Sequence, residues 1–403
     1  VWIHVCDDSV SLPIDGGRMQ LVVEKFGGTS VGTVARINAV ADHLAERYLR
    51  QESLVVVVSA MSGETNRLVS LAREITPNPA PRETDVLLST GEQVTIALLS
   101  MALQERGLKA RSYTGTQVSI RTDDAYSKAR IREIELNKIH ADVSAGYVAV
   151  VAGFQGVDDG GNITTLGRGG SDTTAVALAA ALNAHECRIY TDVDGIYTTD
   201  PRVVSSVRRL DQITYDEMLE MSSMGAKVLQ LRSVEMARKY HVPLRVLSSF
   251  EPGDGTIISG MNQESHMESP LVSGIAFQRK EAKISMLGIP RSPNALKMIF
   301  AAIAEANINL DIIIQNLGTH GATDLSFTVA AEDYRLCLEI VYSVGKKLGV
   351  ERIEGDSELA KVSVIGVGMR SHTGIAQLLL ETLVDQGVTC LLYTSDAADD
   401  RSC

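Results

Sequence analysis

Aromatic residues and metal-binding patterns are scarce in this chain of 403 residues. Only 4% of the residues are aromatic, so the core must be built from Val, Leu, Ile, Ala and Met. The five cysteines form no CxxC pair, and the eight histidines form no HxxxH or HExxH pattern. Because such spacings carry most zinc and redox sites, the sequence predicts no metal site made by protein ligands and a reduced, cytoplasmic environment.

The sequence also lacks a long apolar run and an excess of positive charge. No uninterrupted stretch of about 18 apolar residues occurs, so no membrane-spanning helix is predicted. The formal net charge of −12 argues against nucleic acid and acidic membranes as partners. The length and a hydrophobic content of 45% favour two or three globular domains.

Both ends of the chain look unlike the rest. Residues 1–18 show no amphipathic pattern and lack the basic start and apolar run of a signal peptide. We expect Met19 to be the natural start and residues 1–18 to be a non-native extension. Residues 390–399 resemble the translation of a transposase sequencing adapter, so we expect natural sequence to end near Thr389 and residues 390–403 to be an adapter-derived tail. An ordinary polar tail is the alternative.

The segment Val22–Ser30 predicts a strand that ends at a glycine turn before a helix. Its β-branched start is typical of a buried strand, and apolar residues recur at helical spacing over Val31–Arg50. Glycines let backbone N–H groups face one point, and the helix N-terminus adds positive charge, so the turn suits phosphate. It is not a Walker A loop, because Thr33 stands where that motif has lysine and Lys25 precedes the glycines. A plain tight turn is the alternative.

Two later segments carry charges that could hold a small acid. Glu92 follows Gly91 inside the long helix predicted over Asp85–Arg106, where a glycine hints at close approach of another segment. Arg168 lies among three glycines and capping hydroxyl residues at the start of a buried helix. Such a helix start binds anions, and arginine can grip a carboxylate with two hydrogen bonds. The alternatives are a surface glutamate and a solvated arginine.

The C-terminal part contains an internal repeat. Ala282–Gly288 aligns with Ala360–Gly366, and each is followed by a polar loop and a predicted helix. The first unit then continues with a strand over Ile308–Ile313, a second strand and a helix, which makes an α+β unit. The second unit stops after its helix at Gly374–Gln386. Earlier in the chain, residues 130–145 are predicted to be helical.

Six motifs occur in an order that closely resembles the bacterial aspartate kinases (aspartokinases) of the amino acid kinase family. They are Lys25–Ser30, Ser59–Met61, Gly91–Glu92, Gly153–Gly156, Thr165–Asp172 and Thr191–Arg202. The resemblance covers about residues 20–389, and the repeat resembles the paired ACT regulatory domains of those enzymes. It implies an α/β fold, namely a three-layer αβα sandwich with a mainly parallel sheet, followed by α+β (βαββαβ) ACT-type domains, the second truncated.

The resemblance also implies a domain order. A catalytic amino acid kinase domain is expected over residues 19–262 and a linker over 263–270. A first ACT domain is expected over 271–355 and a partial second one over 356–389. An internal start near Met267 that gives a separate small subunit stays open.

The activity implied by the resemblance is ATP-dependent phosphorylation of the β-carboxylate of L-aspartate, the first step towards lysine, threonine and methionine. Mg²⁺ would sit on the ATP phosphates. The catalytic residues would be Lys25, Gly28, Arg168 and Asp172, with Asp172 orienting Lys25 or the phosphates. Residues for aspartate would be Thr65, Glu92, Arg168 and Ser171. Residues for the nucleotide would be Lys25, Phe26, Gly27, Gly28, Thr191, Asp192, Tyr197, Arg202 and Lys227.

ACT pairs usually bind an amino acid at a subunit interface, so the resemblance implies lysine, threonine or both as effectors. The matching residues are Asn294, Ala295, Asn309, Asp311, Gln315 and Asn316. A homodimer or an α2β2 assembly through the ACT domains is implied for the full-length protein. Because the second ACT unit is incomplete, we expect activity with weak or absent feedback inhibition.

Two other readings compete with this one. The first is a sister kinase that also has a phosphate-binding glycine turn, such as acetylglutamate kinase, glutamate 5-kinase or uridylate kinase. None of these three matches the whole set of motifs together with the repeat. A non-catalytic amino-acid-binding regulatory subunit is the second reading, and the presence of Lys25, Glu92 and Arg168 argues against it.

Overall fold

The computed structural model describes residues 20–226, 228–260, 272–306, 308–317, 322–366 and 374–388. Two compact units emerge from it. The first extends through Gly274 and includes the residues from Ile365 onward, and the second is Ile275–Val364.

The elements of the first unit follow in chain order. Its strands are β1 (Leu21–Phe26), β2 (Ser53–Val58), β3 (Ala110–Tyr113), β4 (Ile120–Thr122), β5 (Ile131–Ile134), β6 (Val148–Ala152), β7 (Gln155–Val157), β8 (Ile163–Thr165), β9 (Glu186–Thr191), β10 (Ile196–Tyr197), β11 (Arg209–Leu210), β12 (Gln212–Thr214), β13 (Leu244–Ser248) and β14 (Thr256–Ser259). Its helices are α1 (Val34–Leu49), α2 (Glu64–Ile75), α3 (Pro81–Glu105), α4 (Asn137–Ser144), α5 (Gly170–Ala181), α6 (Tyr215–Ser223) and α7 (Leu231–Tyr240).

A mainly parallel sheet forms the centre of the first unit, in the order β12-β14-β13-β9-β1-β2-β6-β3. Only the β13–β14 pair is antiparallel. β1 lies near the middle, and Lys25 stands opposite Val57 of β2 and Ile189 of β9. The carboxyl ends of these parallel strands meet at one edge, which is where α/β sheets bind ligands.

Successive residues of β1 face opposite helical layers, because side chains alternate along a strand. Phe26 belongs to the same hydrophobic cluster as Leu44 of α1 and Leu99 of α3. Lys25, one residue earlier, faces the other layer, where it meets Asp172 of α5. Helices therefore cover both faces of the sheet, and the predicted three-layer αβα sandwich is confirmed.

A smaller sheet with the order β5-β4-β7-β8 lies beside α3. Its β7–β8 hairpin turns at the Asp158–Gly161 segment, where Gly161 has φ +79° and Asp158 N–H donates to the Asn162 carbonyl at 3.0 Å. The helix predicted over 130–145 is wrong in its first part. Ile131–Ile134 is a strand paired with β4, and only Asn137–Ser144 is helical.

The second unit has its own sheet and core. It contains β15 (Gly274–Ile289), α8 (Pro293–Glu305), β16 (Ile313–Leu317), β17 (Thr323–Ala330), α9 (Tyr334–Leu348) and β18 (Arg352–Ile365). The sheet order β16-β17-β15-β18 and the packing of α8 on α9 give the βαββαβ pattern of an ACT-type domain. The strand predicted over Ile308–Ile313 instead begins at Ile313.

The repeat boundary falls within a single strand. β18 runs without a break across residues 355 and 356, so the predicted division between the two ACT units lies inside it. The helix predicted over Gly374–Gln386 is present as α10 (Ile375–Asp385), and none of its described residues is buried. The domain boundaries themselves stay predictions.

Among the described residues, one helix is long and apolar enough to cross a membrane when judged by length and composition alone. This helix is α3, and half of its most apolar window is buried inside the first unit. Asp85 and Glu92 interrupt its apolar sequence, and both are buried against other segments of that unit. A core helix of a globular domain has these properties.

Candidate active site

The glycine turn after β1 is longer than the sequence predicts. The helix begins at Val34 rather than Val31, because residues 28–33 form turns and Thr33 caps α1 by accepting a hydrogen bond from Arg36 N–H at 3.2 Å. Gly27 was expected to offer its N–H to a ligand, and this is wrong, since that N–H donates to the Tyr190 carbonyl at 3.2 Å. Gly28 N–H has no acceptor among the described residues, so it is the donor that can face a phosphate.

Lys25 and Asp172 form a buried ion pair at the carboxyl end of β1. Lys25 Nζ lies 2.6 Å from Asp172 Oδ1, and each side chain is 11% exposed. A lysine is buried this deeply only when it is paired. Asp172 belongs to the first turn of α5, and that helix is almost wholly buried as predicted. The pair therefore holds an ammonium group in a fixed position, which is what the proposed role of Lys25 requires.

Glu92 is a buried carboxylate with only one of its oxygens satisfied. It is 3% exposed, and its Oε1 accepts from Ala60 N–H at 3.1 Å. Its Oε2 has no hydrogen-bond partner among the described residues. Burial raises the pKa of Glu92 to about 7. A half-satisfied buried carboxylate is costly on its own, and a cationic ligand would complete it.

Gly91 explains how Glu92 comes so near the loop after β2. A Cβ at this position would lie 2.8 Å from the Ala60 Cβ, so a larger residue would push the helix and the loop apart. Thr65, the other residue predicted near aspartate on this side, lies half-buried in the first turn of α2, which begins directly after the same loop.

Arg168 stands on an exposed turn between two glycines with left-handed backbone. Gly167 has φ +80° and Gly169 φ +68°, conformations that other residues adopt only with strain. The Arg168 guanidinium has no ion pair within the described part of the chain, so it is available to a carboxylate. Ser171 follows at the start of α5 and packs against Gly153 at the end of β6, where a Cβ would lie 2.6 Å from its Oγ.

The predicted nucleotide residues differ in how they could contribute to the site. Phe26 was expected to bind the cofactor, but its side chain is buried and stacked on Tyr190 with ring centroids 4.7 Å apart, so only its backbone could contribute. Thr191 and Asp192 lie together at the end of β9, where the Thr191 hydroxyl donates to Asp192 at 3.1 Å. Lys227 lies outside the described residues.

Tyr197 and Arg202 are held by nearby acids of the segment after β9. The Tyr197 hydroxyl donates to Asp194 at 2.8 Å, and this hydrogen bond raises the pKa of Tyr197. Arg202 is 82% exposed and donates two hydrogen bonds to Asp200, at 3.0 and 2.8 Å. A phosphate would therefore compete with Asp200 for the guanidinium group of Arg202.

Comparisons with known proteins point to one family. The profile of the amino acid kinase family matches residues 20–248. The chain is 58% identical to the aspartokinase of Pseudomonas aeruginosa over 377 residues, which cover 94% of this chain and 92% of that protein.

The chain belongs to the amino acid kinase family, as one of its aspartate kinases.

Solved aspartate kinases share its fold. A crystal structure of E. coli aspartokinase III with aspartate and ADP, in the R-state, matches with a TM-score of 0.76 and 28% identity, covering 94% of each chain. The same E. coli enzyme with lysine and aspartate, in the T-state, matches with a TM-score of 0.72 and 28% identity, covering 93% of this chain and 94% of that one.

The residues predicted for effector binding in this aspartate kinase lie on α8, on β16 and on the segment between them. Asn294 lies in the first turn of α8, and Gln315 and Asn316 are exposed on the edge strand β16. Asn309 is exposed just before that strand. Ala295 is buried, and Asp311 is exposed but ion-paired with Lys361.

Sequence reasoning missed the residues that support the site. Asp85 on α3, Gln155 on β7 and Arg232 on α7 each hold backbone or side-chain groups of neighbouring segments. Asp85 carried one signal in the sequence, because it lies seven residues before Glu92 and so on the same helical face. Arg232 carried none, since its partners are carbonyls distant in sequence.

Proposed function

We propose that this chain transfers the γ-phosphoryl group of ATP to the β-carboxylate of L-aspartate. The observation that carries the proposal is the half-satisfied, buried carboxylate of Glu92, because it needs a cationic partner such as the α-ammonium group of an amino acid. Arg168, whose guanidinium is available, supplies the opposite charge for a carboxylate. This substrate is consistent with the aspartate kinases of known structure that resemble the chain.

The reaction asks little of the protein beyond positioning and charge. An oxygen of the β-carboxylate attacks the γ-phosphorus, and the bond to the bridging oxygen of ADP breaks, which gives 4-phospho-L-aspartate. The attacking carboxylate is already ionised near pH 7, so no general base is needed. Lys25, held by Asp172 at 2.6 Å, stabilises the negative charge on the phosphoryl oxygens in the transition state, and Gly28 N–H adds a donor.

Mg²⁺ is proposed as the companion of ATP. No group of three or more His, Cys, Asp or Glu suited to a metal ion occurs within the described residues. This fits Mg²⁺, which usually binds through one or two carboxylates plus substrate phosphates and keeps several waters. Asp172 is the carboxylate paired with Lys25. Mg²⁺ bound to the ATP phosphates would neutralise part of their negative charge.

The proposal is tested by incubating the chain with ATP, Mg²⁺ and each candidate acid, and by trapping the acyl phosphate with hydroxylamine. Product is expected with aspartate and not with glutamate, acetylglutamate or uridylate. Product with another acid would assign a sister kinase, and product with none would contradict the proposal.

Lys25→Ala provides the matched test of mechanism. We expect it to lower kcat on the order of 100-fold or more, because it removes charge stabilisation in the transition state. Circular dichroism should show an intact fold. The same substitution at the exposed Lys109 is the control and should leave kcat unchanged. Wild-type kcat in a folded Lys25→Ala protein would remove Lys25 from the mechanism.

Regulation and assembly follow as further parts of the proposal. We infer that lysine, threonine or both bind the second unit near β16; that lysine is an effector is supported by the complex of E. coli aspartokinase III with lysine and aspartate. The exposed edge of β16, with apolar Ile313 and Leu317 at the surface, suits pairing with a second copy of the chain. Adding each amino acid alone and together in the same assay tests the expected weak inhibition, and light scattering tests the homodimer.

A further inference from the structure

We propose that Asp85 is a positioning residue that sets the distance between the two charges which bind the amino-acid substrate. The inference rests on the proposed function, because it concerns Arg168 and Glu92 as substrate ligands. Asp85 contacts neither substrate nor nucleotide in this proposal. It acts through the loop that carries Arg168.

Asp85 is fully buried and accepts four hydrogen bonds from two segments. Its Oδ2 accepts from the backbone N–H groups of Ser127 and Thr165, at 2.9 and 2.7 Å. Its Oδ1 accepts from the hydroxyls of the same two residues, at 3.1 and 2.8 Å. One carboxylate therefore joins helix α3 to Ser127, which has a left-handed φ of +67°, and to the end of β8.

The loop beyond Thr165 is held at two of its carbonyl groups, those of Leu166 and Arg168. Arg232 donates to the Leu166 carbonyl at 2.8 Å and to the Ala129 carbonyl at 3.1 Å. Gln230 donates to the Arg168 carbonyl at 3.0 Å. The backbone around Arg168 is thus fixed from both sides while its guanidinium stays available.

Asp85 and Glu92 lie on one face of the same helix. Seven residues separate them, which is two turns and about 10.5 Å along the axis. Glu92 is fixed to the helix directly, and Arg168 is fixed to it through Asp85. Because the ammonium and carboxylate groups of an amino acid are attached to one carbon, a shift of the Arg168 loop relative to α3 would prevent both from binding at once.

The kinetics of an Asp85 variant can distinguish a positioning role from a purely stabilising one. A shifted Arg168 loop weakens the grip on aspartate and leaves the glycine turn and Lys25 in place. The KM for aspartate should therefore rise while the KM for ATP keeps its wild-type value. A purely structural role would lower the thermal midpoint without this split.

Asp85→Ala and Asp85→Asn form the test pair. Alanine removes all four acceptors, and we expect kcat/KM for aspartate to fall on the order of 100-fold, as for other misplaced ligands. Asparagine can keep its oxygen on the two backbone N–H groups and turn its amide to the hydroxyls, which can accept. The Asp85→Asn protein should therefore have a KM for aspartate close to that of the wild type.

Asp158→Ala is the matched control. Asp158 is also a buried carboxylate, in the β7–β8 turn of the small sheet, and it accepts from Asn162 N–H and the Tyr126 hydroxyl at 2.8 and 2.9 Å. Among the described residues, none of its side-chain hydrogen bonds goes to the loop that carries Arg168. The Asp158→Ala protein should be less stable than the wild type and should keep the wild-type KM for aspartate. If Asp85→Ala does not fold, Arg232→Met tests the same loop and should give the same KM split.

Two outcomes would overturn the inference, and a third concerns the proposed function alone. A folded Asp85→Ala or Arg232→Met protein with a wild-type KM for aspartate would overturn it. An equal rise in both KM values that Asp158→Ala reproduces would also overturn it, because the effect would then be general destabilisation. Absence of product from the wild-type protein with aspartate would refute the proposed function instead, and isothermal titration with aspartate would still report the positioning effect.

Discussion

Replacing Glu92 by glutamine should make the free protein more stable above pH 7 while weakening its binding of aspartate. Glu92 is 3% exposed, and burial raises its pKa from 4.5 to about 7. Above pH 7 the folded protein must therefore keep a buried, half-satisfied negative charge. Glutamine has nearly the same shape and can still accept from Ala60 N–H, but it carries no charge.

The size and sign of the effect follow from proton linkage. Between pH 4.5 and about 7 the folded state binds a proton that the unfolded state has already lost, so stability falls as pH rises through this window. At 1.36 kcal/mol per pH unit, the full cost of ionising Glu92 is about 3 kcal/mol at pH 8. Glu92→Gln should regain up to this amount at pH 8 and less than about 1 kcal/mol at pH 5.

Thermal and urea unfolding at pH 5, 6, 7 and 8, without substrate, provide the assay. The difference between Glu92→Gln and the wild type should widen with pH, and the same substitution at the exposed Glu105 of α3 should show no such trend. Saturating aspartate should raise the midpoint of the wild type and not that of the variant. Parallel pH profiles for Glu92→Gln and the wild type would refute the reasoning, because Glu92 would then ionise freely in the folded protein.

Two glycine substitutions test the close contacts around the site. Gly91→Ala should lower the free energy of unfolding by about 1–3 kcal/mol and raise the KM for aspartate, because its Cβ would lie 2.8 Å from the Ala60 Cβ; an unchanged thermal midpoint would contradict this packing. Gly169→Ala should destabilise more than Gly63→Ala by about 1–3 kcal/mol, since both have left-handed φ but only Gly169 would meet Gln230, at 2.5 Å, while Gly63 faces open space. Equal unfolding midpoints for this pair would exclude the Gln230 contact.

Local patterns predict most of the fold of the first unit, because its strands are uninterrupted apolar runs and its helices have clear periodicity. Phe26 shows where such patterns fall short. It stands beside Lys25 in a ligand-binding motif, yet strand alternation sends it into the core on Tyr190, while Lys25 points to Asp172. A motif shows only that two residues are neighbours in the sequence. Which of the two side chains faces the ligand is decided by the alternation of side chains along the strand.

The pairing of distant groups could not be predicted from one sequence. Gly27 looks like a free donor until the neighbouring strand places the Tyr190 carbonyl 3.2 Å away. Asp311, which is predicted to bind an effector, is ion-paired with Lys361, fifty residues later, and its role stays a prediction. Both contacts join segments far apart in the chain, whose relative position depends on sheet order and register.

Helix α3 shows why an apolar composition can hide a functional element. Its buried face carries Asp85, Ser89 and Glu92, at spacings of four and three residues that place them in one line. The side chains of Asp85 and Glu92 are linked to Thr165 and Ala60, whereas Ser89 is linked to Gln155 by its backbone carbonyl, at 3.1 Å, and its hydroxyl donates to Val86 within α3. In a membrane, lipid would offer no hydrogen-bond partners to these polar side chains. In a helix that served only to fill the core, apolar residues would occupy the same positions. A line of polar residues along an otherwise apolar helix therefore indicates a helix that positions loops around a site, and two of its three links here lead to the loops beside Arg168 and Gly28.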